Sequence, residues 1–337
     1  MSSKKTKPPA SNTGAPRTAP EKNCSIIDWL GFTVPFQNVS EVFELLGISS
    51  DYFSTNGRGG MGYKCAHRYG KITVYSDGTP DMGCHVEMSG TGCREYELDG
   101  LDWRELFTRI SIKNGHLTRL DIAIDVVDGS LPLNKIESHI KNDALRMYFR
   151  AYSIHKSHRY TADGPVSSGY TRYFGSKMSR TLFRIYDKAL EQGIPDADWV
   201  RFEIQLRDER ADVAAEHIVR RDDLGSIAVA IINHQISFID LTDSNKSRCP
   251  LAPWWSNFLK TTEKLKLVKR KLLRLLDHAR EHLIKQYAPT IAMLKEGLGV
   301  TGFKDFMRNL ITAGTERMTI KHYEIIHRSN VYCDIPF

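Results

Sequence analysis

Four segments of the chain alternate apolar and polar residues one by one, the pattern of strands that bury one face and keep the other polar. In 84–89, Val86 and Met88 point one way and His85, Glu87 and Ser89 the other. In 117–126, Leu120, Ile122, Ile124 and Val126 lie opposite Arg119, Asp121, Ala123 and Asp125. In 182–188, Phe183 and Ile185 lie opposite Arg184, Tyr186 and Lys188. In 201–207, Phe202, Ile204 and Leu206 lie opposite Arg201, Glu203, Gln205 and Arg207. Apolar strand faces need helices to cover them. The expected fold class is therefore α+β: a mostly antiparallel sheet with one polar, catalytic face, helices on the other face, and an α-helical C-terminal module.

The rest of the chain fits around those strands. IIDWLGFTV, from Ile26, reads as a strand, and 38–48 as a short helix with Ser40 as N-cap and Gly47 as its stop. TNGRGGMGY (55–63) is a glycine-rich loop without the spacing of a phosphate-binding loop, so no ATPase is expected. KITVYS (71–76) and CHVEMS (84–89) form a hairpin, and 101–112 and 134–145 are helices. Residues 146–168 read as irregular, basic and aromatic, and TRYFGS (171–176) as a strand. KALEQG forms a helical turn, and from 209 onward the pattern is helical. No internal repeat of short fixed period is evident.

The polar face carries the chemistry. Asp121 and Asp125 flank the small Ala123, and like charges so close need a cation between them or a base beside them. Arg119 and Arg184 are candidate partners for structural salt bridges; Mg²⁺ or Mn²⁺ between the two acids is the alternative. Tyr186 alternates with Arg184 and Lys188, not with the apolar residues. Packing is the usual role of a strand tyrosine. Beside cations, however, a phenolate costs less and can attack a phosphodiester. Tyr186, Arg184 and Lys188 are the candidate catalytic residues.

Charge narrows the partner. Of the net +7 over 337 residues, 1–22 carry +4 and 260–285 carry +6, leaving the remainder at −3. Two cationic appendages on a slightly acidic body point to a polyanion, with a solvated tail and a salt-laced surface helix as the plain alternative. The six cysteines are scattered without a CxxC pair, which fits free thiols in a reducing compartment. No stretch reaches the roughly 20 apolar residues of a membrane helix, and the N-terminus lacks a secretory pattern, so a cytoplasmic protein with no membrane partner is expected.

Five blocks in order, WLGFTV (29–34), HVEMSGTGCR (85–94), RLDIAIDVVDG (119–129), RYFGSKMSRTLFRIYDKALEQG (172–193) and WVRFEIQLR (199–207), resemble the replication initiation factor family over roughly residues 26–240. That family includes rolling-circle initiators of plasmids, filamentous phage proteins and some relaxases. The resemblance implies origin-specific nicking of one DNA strand in a bacterial host. The enzyme would stay attached through a 5′-phosphotyrosine bond and then rejoin the strand, with a divalent metal. It places the nucleophile at Tyr186 and the acids that would hold Mg²⁺ or Mn²⁺ at Asp121, Asp125 and Glu203, with Glu87 as a further candidate ligand. His85 and Glu87 only loosely echo a two-histidine metal motif, so a carboxylate-rich site is expected.

Three domains follow: a disordered basic tail (1–24), a nicking domain (25–240) and a helical module (241–337) for DNA binding or oligomerisation. Basic residues interleaved with aromatics in 141–160 can hold phosphates while rings stack on unpaired bases. The DNA-binding candidates are Arg119, Arg146, Arg150, Lys156, Arg159, Arg201, Lys266, Lys269, Arg270, Lys271 and Arg274. The last five lie on an amphipathic run that suits duplex phosphates, a membrane surface or a coiled-coil arm. The expected partner is origin DNA, supercoiled or single-stranded; a host helicase and a second copy are further candidates. A mobilisation relaxase with the same chemistry, a DNA-binding regulator without catalysis and a water-using nuclease are the competing readings.

Overall fold

The computed structural model describes residues 19–56, 58–161, 164–220, 223–265 and 276–318, with His322 and Ile326. Its first part runs β1 (Cys24–Val34), α1 (Val39–Leu46), β2 (Ser54–Asn56), β3 (Cys65–Tyr69), β4 (Ile72–Ser76), β5 (Cys84–Met88), α2 (Gly90–Leu98) and α3 (Trp103–Ile112). Next come β6 (His116–Val126), α4 (Leu133–Lys141), β7 (Leu145–Met147), β8 (Tyr152–Thr161), β9 (Gly164–Phe174) and β10 (Thr181–Asp187). Then follow α5 (Lys188–Gln192), β11 (Val200–Arg207), α6 (Glu209–Val219), α7 (Leu224–Gln235), β12 (Ile236–Phe238) and α8 (Pro253–Glu263). A separate unit beginning at Lys271 holds α9 (Leu276–Glu316), broken at Gly299. None of the described helices is long and apolar enough to cross a membrane, and none of the described cysteines is in a disulfide.

Ten strands form one sheet in the order β2-β3-β4-β5-β1-β6-β11-β10-β9-β8, every pairing antiparallel. That order is a doubled motif. In each half the first strand lies at the centre (β1, β6) and a helix follows it (α1, α4). The last strand returns beside the first (β5, β11), and the preceding three step outward in reverse order. The halves join where β1 pairs with β6, at Trp29 opposite Asp121. A pseudo-twofold axis through that junction keeps the polar face polar in both halves.

The alternation read from the sequence is the alternation observed. Leu30, Phe32, Val86, Met88, Leu120, Ile122, Ile124, Phe183, Ile185, Phe202 and Ile204 are buried in one core with Trp103 of α3 and Trp255 of α8. Each such side chain contributes on the order of 1.5–3 kcal/mol.

Several expectations change. Asn38, not Ser40, caps α1; its side chain accepts from the Ser40 N–H. Gly47 ends that helix as expected, with φ +72°. Residues 146–168 are not irregular: they hold β7, β8 and the start of β9. The β8–β9 hairpin edges the sheet with the described side chains of β8 exposed, so no buried face imposed alternation on it. The boundary expected at 240 moves to 270. The cause is α8, whose Phe258 stacks on Phe202 while its Trp255 packs against the same ring at a tilt. Residues 1–18, most of the expected tail, lie outside the described residues.

Candidate active site

Tyr186 sits on β10 opposite Arg201 of β11, and Arg201 lies opposite Asp125 of β6. The Tyr186 hydroxyl donates to Glu203 Oε1 at 2.5 Å. Glu203 Oε2 is 2.5 Å from Arg184 Nη2, which also reaches Asp121 Oδ2 at 2.9 Å. Arg119 grips the same Asp121 with two nitrogens, at 2.9 and 2.6 Å. Beneath this chain, Arg201 donates to both oxygens of Asp125 at 2.7 and 2.9 Å and to Asp28 Oδ2 at 3.0 Å. The Trp199 indole donates to Asp125 Oδ1 at 2.8 Å.

The arginines therefore take up the acids that the sequence placed on this face. Four carboxylates (Asp28, Asp121, Asp125, Glu203) meet three guanidiniums, and Lys188 lies close enough to pull on Asp28 and Glu203. Arg201 and Asp125 are fully buried, which is tolerable because the planar fork satisfies both carboxylate oxygens.

Titration follows from this geometry. Burial, and then the charge of Glu203, push the Tyr186 phenol well above its usual range, against the pull of Arg201. A neighbouring cation does pull the phenol down, as expected, but burial and Glu203 outweigh it, and the hydroxyl is hydrogen-bonded to Glu203. Burial raises Glu203, but Arg184, Arg201 and the Tyr186 hydrogen bond outweigh it and hold the carboxyl below its usual range. Burial pushes Asp28 up to about 6, with Arg201 opposing and Glu203 assisting. An ionised acceptor and a second, more basic carboxylate thus lie close to one phenol.

The remaining candidates separate. Lys188 is buried, ion-paired with Glu191 and set over the Tyr186 ring, so it supports the phenol from behind. Arg201 is too deep to touch DNA. Glu87 lies on β5, where it accepts from the Tyr75 hydroxyl, far from Asp125. Arg150 and Lys156 are exposed, and Lys156 lies over the Tyr170 ring. Arg146 is half-buried and donates to Ser247 O. Lys266, Lys269, Arg270, Lys271, Arg274 and the side chain of Arg159 lie outside the described residues. The sequence reading missed Asp28, Trp29 and Trp199. Asp28 had a signal: it is the lone acid in an apolar run, and a bulge between Ile27 and Trp29 turns it to the polar side.

The four carboxylates proposed for a metal do not form a cage. Among the described residues no group of three or more His, Cys, Asp or Glu is placed to hold an ion. Asp121, Asp125 and Glu203 are each turned to arginine, and Asp28 Oδ1 is the one site oxygen with no hydrogen bond.

Residues 115–311 match the model of the replication initiation factor family, over more than half of the chain. The chain belongs to the replication initiation factor family. Residues 24–109 match the N-terminal domain of rolling circle replication initiation proteins, so each half of the sheet corresponds to one family model. Among relatives, the putative DNA relaxase NicK of Bacillus subtilis (strain 168) is 28% identical over 316 residues, 89% of either chain. The structure of the rolling circle replication initiator protein from Geobacillus stearothermophilus is 34% identical, with a TM-score of 0.68 over 73% of this chain and 99% of that one. Within this initiator and relaxase family, the Tyr186–Glu203 pair lies in the second half-sheet.

Proposed function

We propose that the protein nicks and rejoins one DNA strand at an origin, with Tyr186 as nucleophile. The observation that carries this reading is the Tyr186 hydroxyl donating to Glu203 between arginines. The Tyr186 oxygen attacks the phosphorus, the bond to the 3′ oxygen breaks, and a 5′-phosphotyrosine and a free 3′-hydroxyl result. The phenol proton passes to Glu203, and the departing 3′ oxygen takes up a proton from water. Arg184, a quarter exposed, is the cation best placed to meet phosphate charge on this face. Rejoining runs the same steps backward.

The family implies Mg²⁺ or Mn²⁺, but the carboxylates as arranged do not fit an ion, and no step here passes through one. The exposed cations of 150–156 and the basic run 260–285 complete the reading as DNA contacts. A host helicase and a second copy of the chain are its proposed partners; sedimentation with and without DNA tests the second. Mobilisation at a transfer origin is the second form of the same chemistry, favoured by the relaxase relative matched along its length.

The test is a covalent-adduct assay. Protein, supercoiled DNA carrying the gene's own neighbourhood and Mg²⁺ or Mn²⁺ are incubated, denatured and scored for DNA-linked protein, with Tyr186→Phe beside wild type. An adduct lost in Tyr186→Phe supports the reading. Cleavage without adduct points to a water-using nuclease, and tight binding without cleavage to a regulator. An adduct that survives moves the assignment to Tyr173, which lies opposite Arg184 on β9.

A further inference from the structure

The doubled sheet contains the Tyr–Glu pair twice. Tyr75 on β4 lies opposite His85, two residues before Glu87, as Tyr186 on β10 lies opposite Arg201, two residues before Glu203. In both halves the tyrosine hydroxyl bonds to that glutamate. The cations are what differ. Thr73 stands where the second half has Arg184, and His85 where it has Arg201. No arginine occupies either of those two positions, so the first copy lacks the two guanidiniums that flank the Tyr186–Glu203 pair.

Rings replace the cations. Tyr63, from the glycine-rich loop, Tyr75 and His85 form an array with centroids 6.0–6.4 Å apart and planes within 34° of one another. Two glycines lie close against them: a Cβ at Gly60, in that loop, would lie 3.3 Å from the Tyr75 ring, and one at Gly78, between β4 and β5, 3.1 Å from the Tyr63 ring. Tyr63 and Tyr75 are half-buried, so ring surface reaches solvent. Half-buried Trp29, on the pseudo-twofold, carries the Arg119 guanidinium 4.3 Å above its ring. Exposed Arg68 of β3 shares the face with Tyr75.

We propose that this face of the first half-sheet is a stacking platform for unpaired bases of the strand held at Tyr186. The proposal rests on the nicking reading for the source of that strand. Five strand spacings lie between β4 and β10, which separates the platform from the nucleophile by roughly 24 Å at the usual spacing. Half-exposed aromatic planes beside guanidiniums are what sequence-tolerant single-strand sites use. The polar face thus divides its labour: phosphate chemistry on one side of the axis, base stacking on the other.

The full chain is titrated with a short fluorescent oligothymidylate and, in parallel, with duplex DNA, by anisotropy. Trp29→Leu and Tyr75→Leu are each expected to weaken oligothymidylate binding about 5- to 100-fold and duplex binding far less. Tyr75→Phe, which keeps the ring, is expected to restore it. Unchanged affinity in both Leu variants, or equal losses for duplex and single strand, overturns the platform. Should a Leu variant fail to fold, bromodeoxyuridine crosslinking of wild type decides: crosslinks at Trp29, Tyr63 or Tyr75 support the site, and crosslinks confined elsewhere overturn it. Adduct formation on supercoiled DNA is scored separately. Its absence with a normal stacking result removes the nicking reading alone; its presence with no stacking removes the platform alone.

Discussion

The two halves of the sheet share a topology and a hydrogen-bonded Tyr–Glu pair, yet their polar faces have different chemistry. In the second half Glu203 is held below its usual range because Arg184 and Arg201 outweigh its burial. In the first half Glu87 is raised, because burial outweighs Arg119 and the Tyr75 hydrogen bond. The same backbone register therefore supports an ionised proton acceptor in one place and a weakly acidic tether in the other. What separates them is the residue two positions before each tyrosine, Arg184 against Thr73, and the one opposite it, Arg201 against His85.

The largest test of that contrast is where DNA attaches. Peptide mapping of the denatured adduct is expected to place all of it on the fragment containing Tyr186. DNA on the Tyr75 fragment would show that the first copy is active and end the comparison. Glu203→Gln should keep the fold and slow single-turnover nicking by roughly 10²–10⁴-fold, the range for removing a positioned proton acceptor. An unchanged rate would assign the proton to another group, with Asp28 the first to try.

Stability should divide along the same line. Arg201→Ala leaves Asp125 and Asp28 buried without their guanidinium, and removing one partner of a buried pair costs about 3–5 kcal/mol. Denaturant unfolding measures this. Arg201→Lys should recover little, since an ammonium cannot bond both Asp125 oxygens and Asp28 in the same plane. A loss below about 1 kcal/mol in Arg201→Ala would mean the network is looser than its geometry.

How far the sequence could go is clearest at these residues. Alternation along β5, β6, β10 and β11 places each polar-face residue on its observed side, because strand period leaves no freedom once one face is apolar. Tyr186, Glu203, Asp121 and Arg184 could therefore be grouped from sequence. The pairing of acids with arginines was legible only as an alternative to a metal, since it depends on strand order. Asp28 was hidden by a bulge, and β8 by its exposure. The duplication itself is faint in sequence: TVYSD and RIYDK share the tyrosine but neither flanking charge. It becomes visible when β5 and β11 are seen to return beside β1 and β6.

Acid should weaken the first half before the second. Burial and His116 push His85 down to about 4, against a backbone hydrogen bond at Phe32. A folded-state value below the ordinary 6.5 means that the unfolded chain binds the extra proton first. The contribution is complete above about 6.5 and is lost as pH falls toward 4, at most about 3 kcal/mol. His85→Gln should flatten the stability profile across that window. Arg201, the counterpart position, stays charged throughout, so its half carries no matching histidine-like slope. An unchanged slope in His85→Gln would assign the acid sensitivity to His67, which burial also lowers.

The smallest expected effect is that of a chelator on the free protein. If Asp121, Asp125 and Glu203 are neutralised by Arg119, Arg184 and Arg201, the second half needs no ion to hold its acids together. EDTA should then leave the thermal unfolding midpoint of the DNA-free chain where it was. A clear fall would mean that a cation bridges these acids in solution, because binding to the folded state alone raises stability by mass action. It would also require Arg184 to swing away from Asp121 or Glu203, and repeating the scan with Arg184→Gln would then show a larger metal dependence, not a smaller one. A midpoint indifferent to EDTA in both proteins leaves arginine as the counter-charge of the second half, and aromatic rings as what the first half has in its place.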